Sequence, residues 1–186
     1  MKRFTLFAVL ASFFAIPSAS AVPINDLIDN AIVIGPTAGS VFGTTIDSTV
    51  DLDAPFSGTA VTAPGVWYTF GGTGANINLS TCNMATYDTK ISVYSDYTGA
   101  LSGLTPVAGQ DDAPGCVGFT TDLTFLSQAS TQYWALVHGF GSAVGNFTLA
   151  FSNTDETPSS VPLPGAAWLM LIGLAVVRWR VVAVKG

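Results

Sequence analysis

The chain has 186 residues, which is room for one domain once a specialised segment at each end is set aside. It holds six Lys and Arg and twelve Asp and Glu, and residues 22–160 contain one of those cations and all twelve acidic residues, a net charge of −11. Nucleic-acid binding and arginine-based recognition of phosphates or carboxylates need clustered cations and are therefore excluded. This charge would attract a cation.

The first 21 residues are typical of a secretory signal peptide. Two cations near the start precede an apolar stretch at 4–16, and Ala-Ser-Ala at 19–21 matches the small-residue cleavage site. A run of about 13 apolar residues is too short for a transmembrane anchor, which needs about 20. We therefore expect an exported protein whose mature form begins near Val22.

Residues 22–152 predict a β-sandwich. Short runs rich in Val, Ile, Thr, Tyr, Phe and Trp are separated by Gly, Pro, Asn and Asp, and several alternate between two faces, such as Ile77 with Leu79. Residues 22–35 carry an apolar pattern that fits a single helical turn. Eight strands are predicted, at 40–46, 66–70, 77–82, 90–94, 104–108, 122–126, 132–138 and 146–151. This spacing indicates an all-β, antiparallel, jelly-roll-like sandwich.

Cys82 and Cys116 are the two cysteines of the chain. In an oxidising compartment a disulfide between them is expected, and closing a loop of about 35 residues contributes about 3–4 kcal/mol. The alternative is a pair of metal ligands, but Zn²⁺ would need more Cys or His nearby, and His138 is the single histidine.

Several short motifs follow one another in a familiar order. They are GVWYTF at 65–70, LSTC at 79–82, YDTKISVY at 87–94, DD at 111–112, YWALV at 133–137 and GNFTL at 145–149. This series resembles the β-sandwich modules related to the bacterial pre-peptidase C-terminal domain, over most of residues 40–151. The resemblance implies a module that accompanies secreted enzymes and surface proteins and is not itself catalytic.

Three aspartates form the first candidate site. Asp88 precedes a predicted strand, and Asp111 and Asp112 lie in a turn just before Cys116. A Cys82–Cys116 bridge would draw these segments together, and converging carboxylates suit Ca²⁺, which binds six to eight oxygens. The alternative is that each aspartate caps its own turn. The sequence therefore predicts a Ca²⁺ site at Asp88, Asp111 and Asp112, beside that simpler explanation.

A second acidic group lies at Asp47, Asp51 and Asp53. It lacks the glycine and the terminal glutamate of an EF-hand loop. Alternation would put Asp51 and Asp53 on one face of an extended segment, where a solvated edge strand is the ordinary explanation and Ca²⁺ binding the alternative.

His138 and a set of aromatic residues complete the candidates. His138 ends a predicted strand, and without a G-x-S-x-G elbow a structural role is expected rather than a catalytic one. The aromatic residues could form a sugar-stacking platform or fill the core, and alternation turns one member of each adjacent pair outward. They are Trp67, Tyr68, Tyr94, Tyr97, Tyr133 and Trp134.

The end of the chain predicts a sorting tail. A polar linker at 153–160 leads to an apolar run at 165–177 that Arg178 and Arg180 close. The motif before the run is Val161, Pro162, Leu163 and Pro164. This order resembles the VPLPA variant of the PEP-CTERM sorting tail of Gram-negative bacteria, although Gly165 replaces the usual alanine. The short apolar run predicts a transmembrane helix that anchors the chain only transiently.

Together these features predict an exported, non-enzymatic surface or matrix protein. The PEP-CTERM resemblance implies an exosortase-type processing enzyme that cuts near residues 161–164 after transient anchoring in the inner membrane. Release to the cell surface or extracellular matrix would give a structural or adhesive role in biofilm or exopolysaccharide. The alternatives are a Ca²⁺-dependent or glycan-binding module and a secreted hydrolase, for which the sequence offers only scattered Ser, His and Asp.

Overall fold

The computed structural model describes residues 21–35 and 37–153. This part of the chain contains two short 3₁₀ helices, Ile28–Asn30 and Leu101–Gly103, and nine strands. The strands are β1 Ile32–Val33, β2 Gly39–Thr44, β3 Gly65–Gly71, β4 Asn76–Ser80, β5 Thr89–Ser95, β6 Thr105–Gln110, β7 Asp122–Leu126, β8 Gln132–Gly139 and β9 Asn146–Asn153.

The predictions for the two ends of the chain concern residues that the structure does not describe. The signal peptide up to residue 20, the linker after residue 153 and the sorting tail with its transmembrane helix lie outside the described residues. Within the described ranges, no helix combines the length and apolar character that crossing a membrane requires.

The strands form two sheets whose pairs are nested one inside the next. The five-stranded sheet has the order β1-β3-β8-β5-β6, and the four-stranded sheet has the order β2-β9-β4-β7. β2 pairs with β9, β3 with β8, β4 with β7 and β5 with β6, all antiparallel. The chain is thus one long hairpin rolled into two layers, as in a jelly roll. The predicted all-β sandwich is confirmed.

All eight predicted strands are present, with ends that shift by a few residues at most. The prediction of a wholly antiparallel sandwich was wrong in one respect, because β1 pairs with β3 in parallel through Ile32 opposite Tyr68 and Val33 opposite Thr69. A strand of two residues is too short to show the alternation on which strand prediction rests.

The main core lies between the two sheets. Every second side chain of the inner strands points into it, and packing these apolar faces against each other is the chief source of stability in a sandwich. Its residues include Val66, Tyr68, Phe70, Ile77, Leu79, Ile91, Val93, Ala135, Val137, Phe147 and Leu149.

A second, smaller core covers the outer face of the five-stranded sheet. Trp67, Tyr94 and Leu136 point away from the main core and are buried there by Ile28 and Ala54 from flanking segments. The Tyr94 hydroxyl donates a hydrogen bond to the Pro55 carbonyl, and the Ser57 hydroxyl lies within hydrogen-bonding distance of the Val93 and Ala108 carbonyls, at 2.9 and 2.8 Å. Because both faces are covered, every residue of β5 is buried.

The predicted disulfide is confirmed. Cys82 follows β4 and Cys116 lies in the connection between β6 and β7, with the two Cα atoms 5.1 Å apart and a sequence separation of 34. The bridge closes a loop that contains β5 and β6, so it restricts the unfolded chain far more than a bridge within one hairpin would.

Removing the bridge tests its contribution. We expect the double variant C82A/C116A to lose about 3–4 kcal/mol of unfolding free energy, because its unfolded state regains the freedom of the whole loop. Urea denaturation of both proteins measures the difference. A reducing agent should destabilise the natural chain by a similar amount and leave the double variant unchanged. Equal stability of the two proteins would contradict the expectation.

Candidate functional site

Three carboxylates meet at one end of the sandwich. Asp88 immediately precedes β5, and Asp111 and Asp112 follow β6. β5 and β6 are antiparallel neighbours with Ile91 opposite Gln110, so the start of β5 lies beside the end of β6. One carboxylate oxygen from each aspartate lies within 4.8 Å of the other two. The structure thus brings the predicted group together, and Ca²⁺ binding there stays a prediction.

Lys90 places a positive charge inside this carboxylate cluster. Its side chain is 5% exposed, and its Nζ atom lies 3.2 Å from Asp111 Oδ2. The Phe140 ring covers the ammonium group, with 4.6 Å between Nζ and the ring centroid, a cation–π contact. Three ionised carboxylates and one ammonium group leave two net negative charges. Lys90 is the lone cation of residues 22–160 and follows Asp88 by two positions in the sequence.

Two oxygens of the cluster lack protein donors. Asp88 Oδ1 and Asp111 Oδ1 are buried atoms, and neither accepts a hydrogen bond in the described part of the chain. Burial, followed by the charges of Asp111 and Asp112, raises the pKa of Asp88. Buried carboxylate oxygens without donors favour either a bound proton or a hard cation.

A network of buried threonines holds the segments beneath the cluster. The hydroxyls of Thr81 and Thr89 share a hydrogen bond of 2.6 Å, and the Thr121 hydroxyl donates to the Thr89 carbonyl at 2.7 Å. The network joins the segment after β4 to the starts of β5 and β7, next to the Cys82–Cys116 bridge. Sequence reasoning missed it, because a buried threonine in a strand looks the same as an exposed one.

His138 is a buried structural residue. It is 0% exposed and its Nε2 atom lies 3.2 Å from the hydroxyl of Ser92, which is also 0% exposed. Burial and the nearby charge of Lys90 lower the pKa of His138 to about 3, so the ring is neutral at physiological pH. Neither side chain of this serine–histidine pair is accessible to solvent in the described structure.

The predicted second acidic group does not form. The prediction of an extended segment with Asp51 and Asp53 on one face was wrong, because the Ala54 amide donates to the Asp51 carbonyl and closes a turn. Asp51 is 7% exposed and Oδ2 accepts a hydrogen bond of 3.0 Å from Trp67 Nε1, whereas Asp53 is exposed. Asp47 lies in a separate turn with a φ of 62°. Asp51 therefore anchors its loop to the sheet.

The aromatic residues divide into core and surface groups. Tyr68 and Tyr133 point into the main core, and Trp67 and Tyr94 are buried in the smaller core on the outer face. The outward direction predicted for one member of each pair is observed, but an outward Trp67 is not exposed, because the flanking segments cover it. Tyr97 and Trp134 remain half-buried, with ring centroids 5.7 Å apart.

The fold and the cluster define a disulfide-closed jelly-roll domain with an acidic loop cluster at one end. No family model matches the sequence, and no curated protein matches it. The chain is similar to the pre-peptidase C-terminal domain of a collagenase from Bacillus anthracis, with 16% sequence identity and a TM-score of 0.44 over 66% of this chain and 94% of that chain.

Two further solved structures are similar. One is PliG of Aeromonas hydrophila, a periplasmic inhibitor of g-type lysozyme, with 10% identity and a TM-score of 0.40 over 66% of this chain and 96% of that chain. The other is CorA, a surface-associated copper-binding protein of Methylomicrobium album BG8, with 10% identity and a TM-score of 0.40 over 66% of this chain and 99% of that chain. These similarities are too remote to transfer a function.

The buried Asp51 predicts a pH-dependent stability. Burial raises the pKa of Asp51 from 3.8 to about 6. Between pH 3.8 and about 6, the folded protein therefore holds a proton on Asp51 that the unfolded chain has already lost. Ionisation of Asp51 therefore destabilises the fold progressively as the pH rises through this window. The variant D51N keeps an oxygen that can accept the Trp67 hydrogen bond and removes the ionisation.

Urea unfolding of the natural chain and D51N at pH 4, 5, 6 and 7 measures this effect. We expect the stability of D51N relative to the natural chain to increase up to about pH 6 and then to level off. The exposed Asp53 supplies the control, because D53N should track the natural chain at every pH. A difference for D51N that does not change with pH would contradict the prediction.

Proposed function

We propose that the chain is an exported, non-enzymatic protein of the cell surface or extracellular matrix with a structural or adhesive role. The single observation that carries this proposal is the distribution of charge. Five of the six cations lie in the two terminal segments that contain the apolar runs, and the domain between them is acidic. Cations flanking short apolar segments are typical of sequences that the export machinery and the inner membrane recognise.

Two features of the domain support this proposal. The Cys82–Cys116 bridge suits an oxidising compartment outside the cytoplasm. The serine–histidine pair, Ser92 and His138, is fully buried and is therefore inaccessible to a substrate, which speaks against hydrolysis at this pair.

The tail adds the route to the surface. Its resemblance to the VPLPA sorting tail implies that an exosortase-type transpeptidase cuts near residues 161–164 and releases the domain from the inner membrane. The polar residues at 154–160, the rest of the predicted linker, would keep the cleavage region away from the folded domain. Arg178, Arg180 and Lys185 would stay on the cytoplasmic side.

Intact mass spectrometry of the protein isolated from surface material tests the processing. We expect a chain that begins near Val22 and ends near residues 161–164. Replacing Pro162 and Pro164 with alanine should leave the uncut form in the membrane fraction, because the rigid motif is lost. A surface protein that still carries residues 168–186 would disprove cleavage.

A Ca²⁺-dependent binding module is the second candidate. Its support is the carboxylate cluster, in which Asp88, Asp111, Asp112 and Lys90 together carry two net negative charges and two buried oxygens lack donors. A divalent cation would neutralise that charge, and oxygen ligands are those that Ca²⁺ prefers. The Lys90 ammonium group competes for Asp111, so the site would bind Ca²⁺ through Asp88 and Asp112 most directly.

Thermal unfolding with excess Ca²⁺ and with EDTA tests this candidate. Ca²⁺ should raise the melting temperature, because a ligand that binds the folded state stabilises it. D112N removes an exposed carboxylate of the cluster and should weaken Ca²⁺ binding about tenfold or more. D53N is the matched control and should respond to Ca²⁺ as the natural chain does. Equal melting temperatures with Ca²⁺ and EDTA would reject the site.

A further inference from the structure

A shallow groove opens on the outer face of the five-stranded sheet, at the end of β5 away from the carboxylate cluster. Its volume is about 280 Å³. The residues that line it are Ile28, Asp29, Ala31, Thr69, Tyr97, Gln132 and Trp134. The groove and the cluster lie beyond opposite ends of β5, a strand of seven residues.

Two aromatic rings form one wall of the groove. Trp134 and Leu136 both lie on the outer face of β8. The smaller core buries Leu136 but leaves Trp134 half-exposed. Asp96 has a φ of 60° directly after β5, and the ring of the next residue, Tyr97, lies beside Trp134 with a tilt of 58° between the planes. The pair presents an apolar aromatic surface to solvent next to polar groups.

Hydrogen bonds fix the polar rim of the groove. The Tyr97 hydroxyl donates to Asp29 Oδ1 at 2.9 Å. The Gln132 side-chain amide donates to the Thr69 hydroxyl, which in turn donates to the Tyr133 carbonyl at 2.9 Å. Carboxylate and amide oxygens are thus held at the edge of an aromatic surface without the entropic cost of ordering them on binding.

We propose that this groove binds a neutral polysaccharide chain, with Trp134 and Tyr97 as the stacking surface. The apolar C–H faces of sugar rings pack on aromatic rings, and sugar hydroxyls pair with acceptors and donors such as Asp29 and Gln132. Among the described residues that line the groove, Asp29 alone is charged, and its negative charge would repel phosphorylated or uronic-acid chains. This deepens the proposed matrix role by naming the class of partner.

A peptide ligand fits the groove less well. Thr69 of β3 and Trp134 of β8 are direct partners in the same antiparallel pair, so the floor of the groove is paired sheet. An extended peptide that adds to a sheet needs an unpaired strand edge. Proline-rich peptides dock on aromatic grooves without adding to a sheet. They are therefore the ligand class that an experiment has to distinguish from a neutral polysaccharide.

Isothermal titration calorimetry on the full chain tests the proposal. The probes are neutral hexasaccharides of glucose, mannose and N-acetylglucosamine, with polygalacturonate and a proline-rich peptide as competing classes. We expect at least one neutral hexasaccharide to bind, and W134A to weaken that binding about tenfold or more through loss of the stacking surface. Y97F, which keeps the ring and removes the hydrogen bond to Asp29, should weaken it less.

Two further variants keep the result interpretable. F42A removes an exposed ring from β2 in the other sheet and should bind as the natural chain does. Q132A changes an exposed side chain of the rim and should weaken binding even if W134A unfolds. Failure of all three neutral probes, binding of only the anionic chain or the peptide, or unchanged affinity of W134A and Q132A would overturn the proposal. The processing experiment measures export separately, so either result stands without the other.

Discussion

The register of β5 with its two neighbours is the constraint on which both candidate sites depend. Pairing with β6 sets the start of β5 beside Asp111 and Asp112, and pairing with β8 sets its other end beside Trp134. A shift of one residue would turn Ile91 and Val93 out of the main core and bring Lys90 into it. Because a buried lysine in an apolar core is costly, packing of the core also fixes what lies beside each end of β5.

The fold could be predicted because its strands obey two simple rules. Alternation in segments such as Asn76–Ser80, where Ile77 and Leu79 face inward, and turn residues between the runs locate eight strands. The short parallel strand Ile32–Val33 was not predicted, because only its pairing with β3 makes these two residues a strand. The smaller core was not predicted, for a related reason. Asp51 and Ala54 lie in a loop, and the path of that loop is set by tertiary packing, which leaves no periodic pattern in the sequence.

The candidate sites were predictable in part. The convergence of Asp88 with Asp111 and Asp112 was expected from the disulfide, and the nested β5–β6 pair supplies a more direct cause. The contact between Lys90 and Asp111 depends on side-chain positions that a sequence does not specify. Among the adjacent aromatic pairs, alternation predicted that the two rings point to opposite faces of the sheet. It could not show that a loop covers Trp67 while Trp134 stays half-exposed.

The burial of Lys90 has a consequence for how the domain meets proteases. Trypsin-like proteases cut after lysine or arginine, and between Val22 and Val177 the chain offers one such bond, after Lys90. That bond lies in β5, which is hydrogen-bonded on both sides and buried on both faces. Cleavage would require β5 to leave both sheets, a loss close to global unfolding. We therefore expect the folded domain to resist this class of protease.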